Sequence, residues 1–355
     1  MMLADLVLNP CVHKVYGLNR KSGEDVRKRQ AGGFARVGAE VDAHWRKIEL
    51  LEGDLSKAHF GLEDEVYAKL RNVTHVIHNA WPMDFNRSLT SFRPHLDAAV
   101  NIVQLALDST TAAPVRIIFS SSIAVVGCAP LVTGDSAPIT EAPLLTVDAI
   151  DHFGYAEVKW VCEQVFVEAG RVFEGRIMPS SMRIGQLTEP EATGAWNANE
   201  HIPMIAKSAL ALGCLPLIEG MASWIPANRA SRVMVELLFA PRPVAVYHLE
   251  NPARQPWSEA LEVLASALGL PAEAMPLPYV EWLACVRADT NTVRNPVGKI
   301  VPFLEDEFVR MAMGVVVLDT VVACVALPML EGSKPLSEGD LRRYVAFWRK
   351  EGFLV

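Results

Sequence analysis

The sequence predicts an α/β fold in which a doubly wound parallel sheet is joined to a smaller, mostly helical lobe. Two observations lead to this fold class. In the first half of the chain, short runs rich in Val and Ile alternate with helical patterns, which is typical of a parallel sheet covered by helices on both faces. After about residue 186, Pro and Gly become frequent and helical patterns dominate. A chain of 355 residues is long enough for both parts, and we place the sheet domain at 1–188 and the helical lobe at 189–355.

The sheet domain opens with a short helical stretch. In MLADLVLNP, Leu3, Leu6 and Val7 share one face of a helix, and Asn9-Pro10 forms its stop. The strands predicted after it lie at 13–18, 46–55, 74–80, 115–122 and 176–185, and the helices between them lie near 23–37, 62–71, 87–108 and 155–170. This order is the pattern of a nucleotide-binding, Rossmann-type sheet.

The second lobe is predicted from helical periodicity. Its helices are expected at 200–212, 228–238, 257–268, 303–325 and 337–351, with one short strand at 244–250. Its most apolar run, residues 313–330, is long enough to suggest a membrane span. Asp319 and Thr320 interrupt this run, and its apolar pieces are too short to cross a bilayer. We therefore interpret the run as a buried helix and expect no membrane partner.

Composition narrows the function classes. Hydrophobic residues make up 51% of the chain and charged residues 21%, which is typical of a globular protein. The net charge of −8 argues against a nucleic-acid-binding protein, which needs a basic face. The six cysteines form no CxxC pair and the nine histidines show no metal-ligand spacing, so no metal site is expected. We expect buried free thiols and, with no signal-peptide pattern at the N-terminus, a cytoplasmic protein.

Two motifs carry the strongest chemical signal, FSSSIAVVG (119–127) and GYAEVKW (154–160). Tyr155 and Lys159 are four residues apart, so on a helix they share one face. Ser122 follows a buried strand, and ligands bind at the carboxyl ends of parallel strands. These three side chains can therefore converge. A YxxxK pattern alone is common on solvated helix faces, and its position after a strand that ends in three serines makes this pair specific.

The three side chains suit proton transfer. A tyrosine with a pKa near 10 is a poor acid or base at neutral pH, and a nearby lysine ammonium is expected to lower that pKa. A serine hydroxyl can hydrogen-bond the reacting oxygen. These are the groups needed to pass a proton while a nicotinamide passes a hydride.

With these motifs the chain resembles the extended short-chain dehydrogenase/reductases. Within them it is most similar to the thioester reductase domains of fungal nonribosomal-peptide-synthetase-like carboxylate reductases. The resemblance runs from Leu3 to Leu354. Further motifs that carry it are VYGLNR (15–20), EGDLS (52–56), THVIHNAWPMDFNRSLTSF (74–92), MRIGQL (182–187), WIPAN (224–228) and RRYVAFWRKEGFL (342–354).

The resemblance implies roles for individual residues. Ser122, Tyr155 and Lys159 would form the catalytic triad, with Tyr155 and Lys159 also touching the cofactor. The remaining cofactor contacts would be Asn79 and Ala80 beside the dinucleotide, Asp54 facing the adenine, and Arg20 on the 2′-phosphate of NADP. A cation after the second strand of such a fold favours NADP over NAD, although Arg20 could belong to a surface charge cluster.

Other assignments are more open. Asp54 could instead cap a helix. Trp81 and Phe85 could wall the substrate pocket, and Trp196 and His201 could contact substrate from the second lobe. Aromatic residues beside strand ends are more often part of the core, so each of these four has a purely structural alternative.

The sequence departs from the family at its start. The family has a first strand and a glycine-rich turn, TGxxGxxG, that binds the pyrophosphate. The cluster AGGFARVG (31–38) follows a charged stretch rather than a strand, so we reject it as this turn. We expect Met1 to lie in the helix that should follow the turn. Because the first strand is central in this sheet order, its absence should leave two strands unpaired or force them to pair anew. In WIPAN, Ser223 and Asn228 stand where the family usually has acidic residues.

The resemblance thus implies NADPH-dependent reduction of an acyl thioester, delivered on a phosphopantetheine carrier protein, to an aldehyde, with a second hydride able to give the alcohol. One alternative is a dehydrogenase or reductase of a free alcohol or ketone with the same triad. Another is a non-catalytic module, because without the glycine-rich turn we expect this chain to bind NADPH weakly or not at all.

Overall fold

The structure is a computed structural model that describes residues 1–82, 87–135, 137–271 and 276–354. It forms two compact units. The sheet unit comprises Met1–Gly185, Ala230–Leu249 and Leu318–Gly332, and the helical unit comprises Gln186–Arg229, Glu250–Val317 and Ser333–Val355. The expected division at residue 188 differs from this arrangement because the chain returns to the sheet unit twice. A single boundary drawn along the sequence does not anticipate such returns.

The first half of the chain has the expected alternation of helices and strands. In chain order its elements are α1 (Met2–Leu8), β1 (Val15–Arg20), α2 (Val26–Arg36), β2 (Ile48–Gly53), α3 (Asp64–Leu70), β3 (His75–His78), α4 (Arg93–Leu107), β4 (Val115–Ser120), α5 (Ala129–Thr133), α6 (Gly154–Val172) and β5 (Ile177–Ile184). The predicted stop of α1 is confirmed, since Asn9 has an extended backbone and ends that helix.

The second half contains mostly short elements. They are β6 (Leu187–Thr188), α7 (His201–Leu212), β7 (Pro216–Leu217), β8 (Met221–Ala222), β9 (Ile225–Pro226), α8 (Ala227–Leu237), β10 (Val246–Leu249), β11 (Gln255–Pro256), α9 (Trp257–Leu268), β12 (Leu277–Pro278), α10 (Tyr279–Ala288), α11 (Val301–Glu305), α12 (Glu307–Ala312), α13 (Val321–Ala326), α14 (Pro328–Glu331) and α15 (Glu338–Lys350). A capping box between Ser337 and Asp340 begins α15.

The parallel sheet of the sheet unit is in two pieces. Four strands pair in the order β10-β5-β4-β3, all parallel, while β1 and β2 form a separate parallel pair. Over the part of the chain that the structure describes, no strand pairs with the second edge of β1 or of β3. This is the pattern expected for a sheet that lacks a central strand. The strand predicted at 244–250 extends the large sheet as β10 and does not belong to the helical lobe.

Each unit has its own core. In the sheet unit, helices α4 and α6 pack on β4 and β5, and their shared cluster of buried side chains includes Ile117 and Phe119 of β4 and Phe166 of α6. In the helical unit, Trp196, Trp282 and Trp348 are almost completely buried in a second cluster. Burial of large aromatic side chains of this kind supplies much of the driving force for folding.

The prediction of a single helix at 303–325 is wrong. The segment forms three short helices, α11, α12 and α13, because the backbone of Asp306 leaves the helical region and Gly314 takes a positive φ of 76°. The run 313–330 is therefore not a buried helix either, and Val325 is 83% exposed. Among the described residues, none of the helices combines the length and the apolar character needed to cross a bilayer.

All six cysteines are free thiols. Cys128, Cys162 and Cys214 are buried as expected, whereas Cys11 is exposed and the other two are partly exposed. Within the described ranges, no group of three His, Cys, Asp or Glu side chains is arranged to hold a metal ion.

Candidate active site

Ser122 and Tyr155 meet where β4 ends. The chain leaves β4 at Ser120, and Ser122 begins the short 3₁₀ turn Ile123–Val126, where its Oγ accepts a hydrogen bond from the backbone N–H of Ala124 at 3.3 Å. Tyr155 lies in the first turn of α6 and is 4% exposed, and the Ser122 side chain is near enough to lower the pKa of its phenol. The predicted convergence of these two groups is thus present in the structure.

A glycine permits this approach. Gly154 is the first residue of α6, and a Cβ there would lie 2.5 Å from the carbonyl oxygen of Arg87 and 2.5 Å from the backbone nitrogen of Leu89. No side chain fits at that distance from two backbone atoms. The segment at 87–89 therefore packs directly against the start of α6 and holds Tyr155 in place.

The pKa of Tyr155 differs from the expectation. Burial raises its pKa to about 12, and the nearby Ser122 side chain offsets part of this rise. Lys159 was expected to lower this pKa. Its Nζ instead donates to the carbonyl oxygen of Ser120 and lies 5.6 Å from the centroid of the Tyr155 ring. Because burial dominates, Tyr155 is a protonated phenol at neutral pH in this structure.

Lys159 lies inside an aromatic cage. Its ammonium is 4.1 Å from the centroid of the Trp81 ring and 4.8 Å from that of Phe119, and the residue is 3% exposed. Burial lowers the pKa of Lys159 to about 7, and the charge of the nearby Glu163 opposes this shift. Lys159 therefore exchanges its proton near neutral pH, which suits a group that takes part in proton transfer.

Several polar atoms beside Lys159 lack partners. Nε2 of His78, Nε1 of Trp81 and Oγ of Ser120 are buried, and none has a hydrogen-bond partner among the described residues. Burial, then the charges of Lys159 and His95, lowers the pKa of His78 to about 3, so its imidazole is neutral. Such orphaned groups at the carboxyl ends of β3 and β4 favour a site that receives polar groups of a ligand.

His95 also belongs to this region, although no sequence motif singled it out. The ring of His95 is 4.8 Å from that of Trp81. Burial lowers the pKa of His95, and the positive charges of Arg87, Lys159 and Arg20 lower it further. Arg20, at the end of β1, is exposed, and its charge thus acts on the same region as Lys159. The surroundings of His95 are cationic and suit an anionic ligand.

The other predicted cofactor residues lie at neighbouring strand ends. Asn79 and Ala80 directly follow β3 and are exposed. Asp54 directly follows β2, where its carboxylate accepts hydrogen bonds from the N–H and the hydroxyl of Ser56, which lower its pKa. Asp54 therefore caps a turn rather than a helix. Its role toward adenine remains a prediction.

The predicted substrate residues lie in different surroundings. Trp81 contacts Lys159 and stacks with Phe92 at 6.2 Å, so it is part of the packing around the triad. Phe85 lies outside the described residues. Trp196 is 1% exposed in the core of the helical unit, and its indole N–H donates to Glu200 at 2.9 Å. A side chain packed in this way has no free surface for a substrate.

His201 also has a structural role in the helical unit. Its ring lies 5.4 Å from that of Phe303 and 5.2 Å from that of Phe308. Burial lowers the pKa of His201 to about 4, so the imidazole is neutral among these rings. The structure favours the packing alternative for this residue.

Comparison with known proteins agrees with the fold and the motifs. Residues 1–234 match the model of an NAD-binding family described as "Male sterility protein". The 3-methylorcinaldehyde synthase of Sarocladium schorii is 36% identical over 377 residues, an alignment that covers all of this chain and 14% of the synthase. The chain thus spans about one seventh of this curated relative.

Two solved structures share the fold. The terminal R domain of the myxalamid PKS-NRPS biosynthetic pathway superposes with a TM-score of 0.81 at 23% identity, covering 100% of this chain and 89% of that domain. A thiolation-reductase di-domain from an archaeal non-ribosomal peptide synthetase superposes with a TM-score of 0.77 at 16% identity, covering 96% of this chain and 71% of the di-domain. Because both sequence identities are below 25%, these superpositions show a shared fold and nothing further.

Proposed function

The chain belongs to the NAD-binding family of male sterility proteins, and from this premise we propose that it is an oxidoreductase domain that reduces an acyl thioester to an aldehyde with NADPH. The observation that carries the proposal is that Tyr155 lies beside Ser122 and beside the buried ammonium of Lys159, whose Nζ is 5.6 Å from the centroid of the Tyr155 ring. These groups lie at the carboxyl ends of parallel strands, where such sheets bind ligands.

The comparisons support the substrate class. The Sarocladium relative is named for an aldehyde product, and the archaeal structure joins a reductase to a thiolation domain. A thiolation domain carries its acyl group as a thioester on a phosphopantetheine arm. We therefore propose that the acyl group reaches this chain on a carrier protein. Reduction would stop at the aldehyde or continue to the alcohol with a second hydride.

The residues beside the triad fit a nicotinamide cofactor. The orphaned atoms of His78 and Ser120 offer hydrogen-bonding groups beside Lys159, which would hold the ribose hydroxyls. Arg20 and the exposed Asn79 would contact the 2′-phosphate and the dinucleotide. When bound, the reduced nicotinamide supplies the hydride.

The chain's own residues supply the proton and polarise the carbonyl. Ser122 and Tyr155 hydrogen-bond the thioester oxygen, which draws electron density from the carbonyl carbon. As the carbon gains hydride, the Tyr155 phenol donates its proton to that oxygen. The resulting hemithioacetal then breaks its carbon–sulfur bond, and its hydroxyl proton passes to the leaving sulfur to give the aldehyde and the free thiol. Lys159, protonated below its pKa of about 7, stabilises negative charge as it develops on Tyr155.

The test is a thioester reductase assay on this chain. It would be incubated with aromatic and aliphatic acyl thioesters of N-acetylcysteamine, and with an acylated carrier protein. NADPH would be supplied in millimolar excess, because the sequence has no glycine-rich turn. Loss of NADPH absorbance, release of free thiol and trapping of the aldehyde by a hydrazine would be measured together.

We expect one thiol and one aldehyde for each NADPH consumed, and no such products from the Tyr155→Phe variant. Reduction of free ketones without thioester turnover would instead support the alternative of a free-substrate dehydrogenase. If the folded chain consumed no NADPH with any of these substrates, the proposed activity would be wrong for this chain.

A further inference from the structure

A buried glutamate lies beside the site without a part in the proposed chemistry. Glu163 is 0% exposed, and its Oε1 accepts a hydrogen bond of 2.5 Å from Oγ of Ser121. It follows Lys159 by four residues and Tyr155 by eight. All three side chains therefore project from one face of α6.

Each of these residues contacts one of three consecutive serines at the end of β4. Tyr155 lies beside the Ser122 side chain, and Lys159 donates to the Ser120 carbonyl. Glu163 holds the serine between them, Ser121. The strand end and the helix are thus joined at three successive points, one turn of α6 apart.

The Glu163 carboxylate is itself held by a buried arginine. Arg183, also 0% exposed, donates to it through Nε at 3.1 and 3.2 Å and through a terminal nitrogen at 2.8 Å. Arg183 lies in β5, which pairs with β4, and the N–H of Ser121 donates to the carbonyl of Met182 at 2.8 Å. Two adjacent strands therefore fix the position of the carboxylate.

A neutral histidine, His248, lies on the other side of Arg183. His248 in β10 is opposite Arg183, with its Nε2 3.5 Å from a guanidinium nitrogen and its Nδ1 2.7 Å from the carbonyl oxygen of Asp319. Burial, then the charge of Arg183, lowers the pKa of His248 to about 3. The neutral ring donates from Nδ1 to the carbonyl and accepts at Nε2. Glu163 is left as the carboxylate that balances Arg183.

We propose that Glu163 is a positioning residue of this site: through Ser121 it fixes the turn that carries Ser122 against the helix face that carries Tyr155 and Lys159. This inference rests on the proposed function. Removal of the Ser121 hydroxyl would free the turn from α6 while leaving the Glu163–Arg183 ion pair intact.

The charge of Glu163 also acts on Lys159. Among the residues that the structure describes, the titratable groups that face Lys159 are Tyr155, Cys162 and Glu163 from α6, His78 from β3 and His95 from α4. The two histidines have lowered pKa values and the Cys162 thiol has a raised one, so that among these described groups Glu163 is the anion that favours the protonated lysine at neutral pH. Neutralising Glu163 should therefore move the titration of Lys159 to lower pH.

The experiment compares Ser121→Ala, Ser121→Thr and Glu163→Gln with the control Glu168→Gln. Glu168 is an exposed glutamate on the same helix and pairs with Arg171. For each variant, kcat and KM for a thioester and the midpoint of thermal unfolding would be measured. A second measurement follows the titration of Lys159 by NMR in protein labelled with ε-¹³C lysine, and Lys159→Met assigns the signal.

We expect Ser121→Ala to lower kcat on the order of 10- to 100-fold with KM almost unchanged, because small misplacements of reacting groups cost this much. Ser121→Thr, which keeps a hydroxyl, should recover most of kcat. Glu163→Gln should shift the Lys159 titration to lower pH, while Glu168→Gln should behave as wild type in both measurements.

The inference would be overturned if Ser121→Ala kept wild-type kcat, or if Ser121→Thr were as slow as Ser121→Ala. An unchanged Lys159 titration in folded Glu163→Gln would overturn it as well, since a purely structural ion pair would then account for Glu163. If Glu163→Gln did not fold, the comparison of kcat between Ser121→Ala and Ser121→Thr would test the inference by itself. A wild-type chain without thioester reduction would contradict the proposed function alone, and the Lys159 titration would then decide the role of Glu163.

Discussion

The ammonium of Lys159, a residue that is 3% exposed, lies 4.1 Å from the centroid of the Trp81 ring. A cation over an aromatic face is stabilised by about 2 kcal/mol when both groups are desolvated. This contact offsets only part of the cost of burying the charge, because burial still lowers the pKa of Lys159 to about 7. The lysine therefore destabilises the fold at the pH values where it is protonated.

Replacing Lys159 by methionine should therefore stabilise the chain at low pH. An unfolded lysine keeps its proton to about pH 10.4. Between about pH 7 and that value the unfolded chain binds more protons at this site than the folded chain, so the stability of wild type rises with pH there. The advantage of Lys159→Met in free energy of unfolding should be largest at pH 6 and shrink at higher pH, by at most about 1.4 kcal/mol per pH unit. Urea unfolding of both proteins at pH 6 and pH 9 checks this, and a pH-independent difference would contradict it.

Tyr155→Phe should lower turnover by about 10²- to 10⁴-fold, the usual contribution of general acid–base catalysis. The ring remains, so packing and NADPH affinity should change little. Steady-state kinetics together with a fluorescence titration of NADPH measure the two effects. A variant with nearly full rate would remove Tyr155 from the role of proton donor.

Arg20→Ala should weaken NADPH binding more than NADH binding. A guanidinium at the end of β1 can form a charge-assisted contact with the 2′-phosphate, which NADH lacks. Lys21→Ala, which removes the adjacent charge, is the matched control and should affect both cofactors equally. Titrations of both cofactors into the three proteins provide the comparison, and equal losses for Arg20→Ala would show that another group selects the phosphate.

Gly154→Ala should destabilise the chain by about 1–3 kcal/mol, because the new methyl group would displace the backbone at 87–89. The matched control is Gly33→Ala. Gly33 lies inside α2 with open space around it, and the same change there should stabilise by about 0.5–1 kcal/mol. Thermal unfolding of both variants measures this contrast. Equal effects at the two positions would argue against a tight contact at Gly154.

Much of the sheet unit was predictable because buried parallel strands and amphipathic helices leave periodic patterns. All five predicted strands of the first half are present, and the Ser122–Tyr155 contact follows from a strand end and a helix start. The return of β10 to the large sheet was not predictable, because it depends on pairing over a long sequence separation. Short apolar segments such as Val246–Leu249 do not reveal their partners.

The chemistry of the site was harder to predict than its location. The spacing of Tyr155 and Lys159 indicated a shared face, but the rise in the Tyr155 pKa depends on burial that spacing does not report. Glu163 follows Lys159 by the same four-residue step and could have been noticed on that ground. Its partner Arg183 lies in strand β5, and nothing local in the sequence links the two residues.

The open edges of β1 and β3 have a consequence for how the protein behaves at high concentration. Within the described ranges, each edge leaves backbone N–H and C=O groups of a parallel strand without a ladder partner. Such edges bind extended segments of other molecules, and natural proteins usually protect them with charges, bulges or covering loops. We therefore expect the resistance of this chain to aggregation to depend on the open edges of β1 and β3. Preparations should scatter more light as they are concentrated, even at temperatures where both cores remain folded.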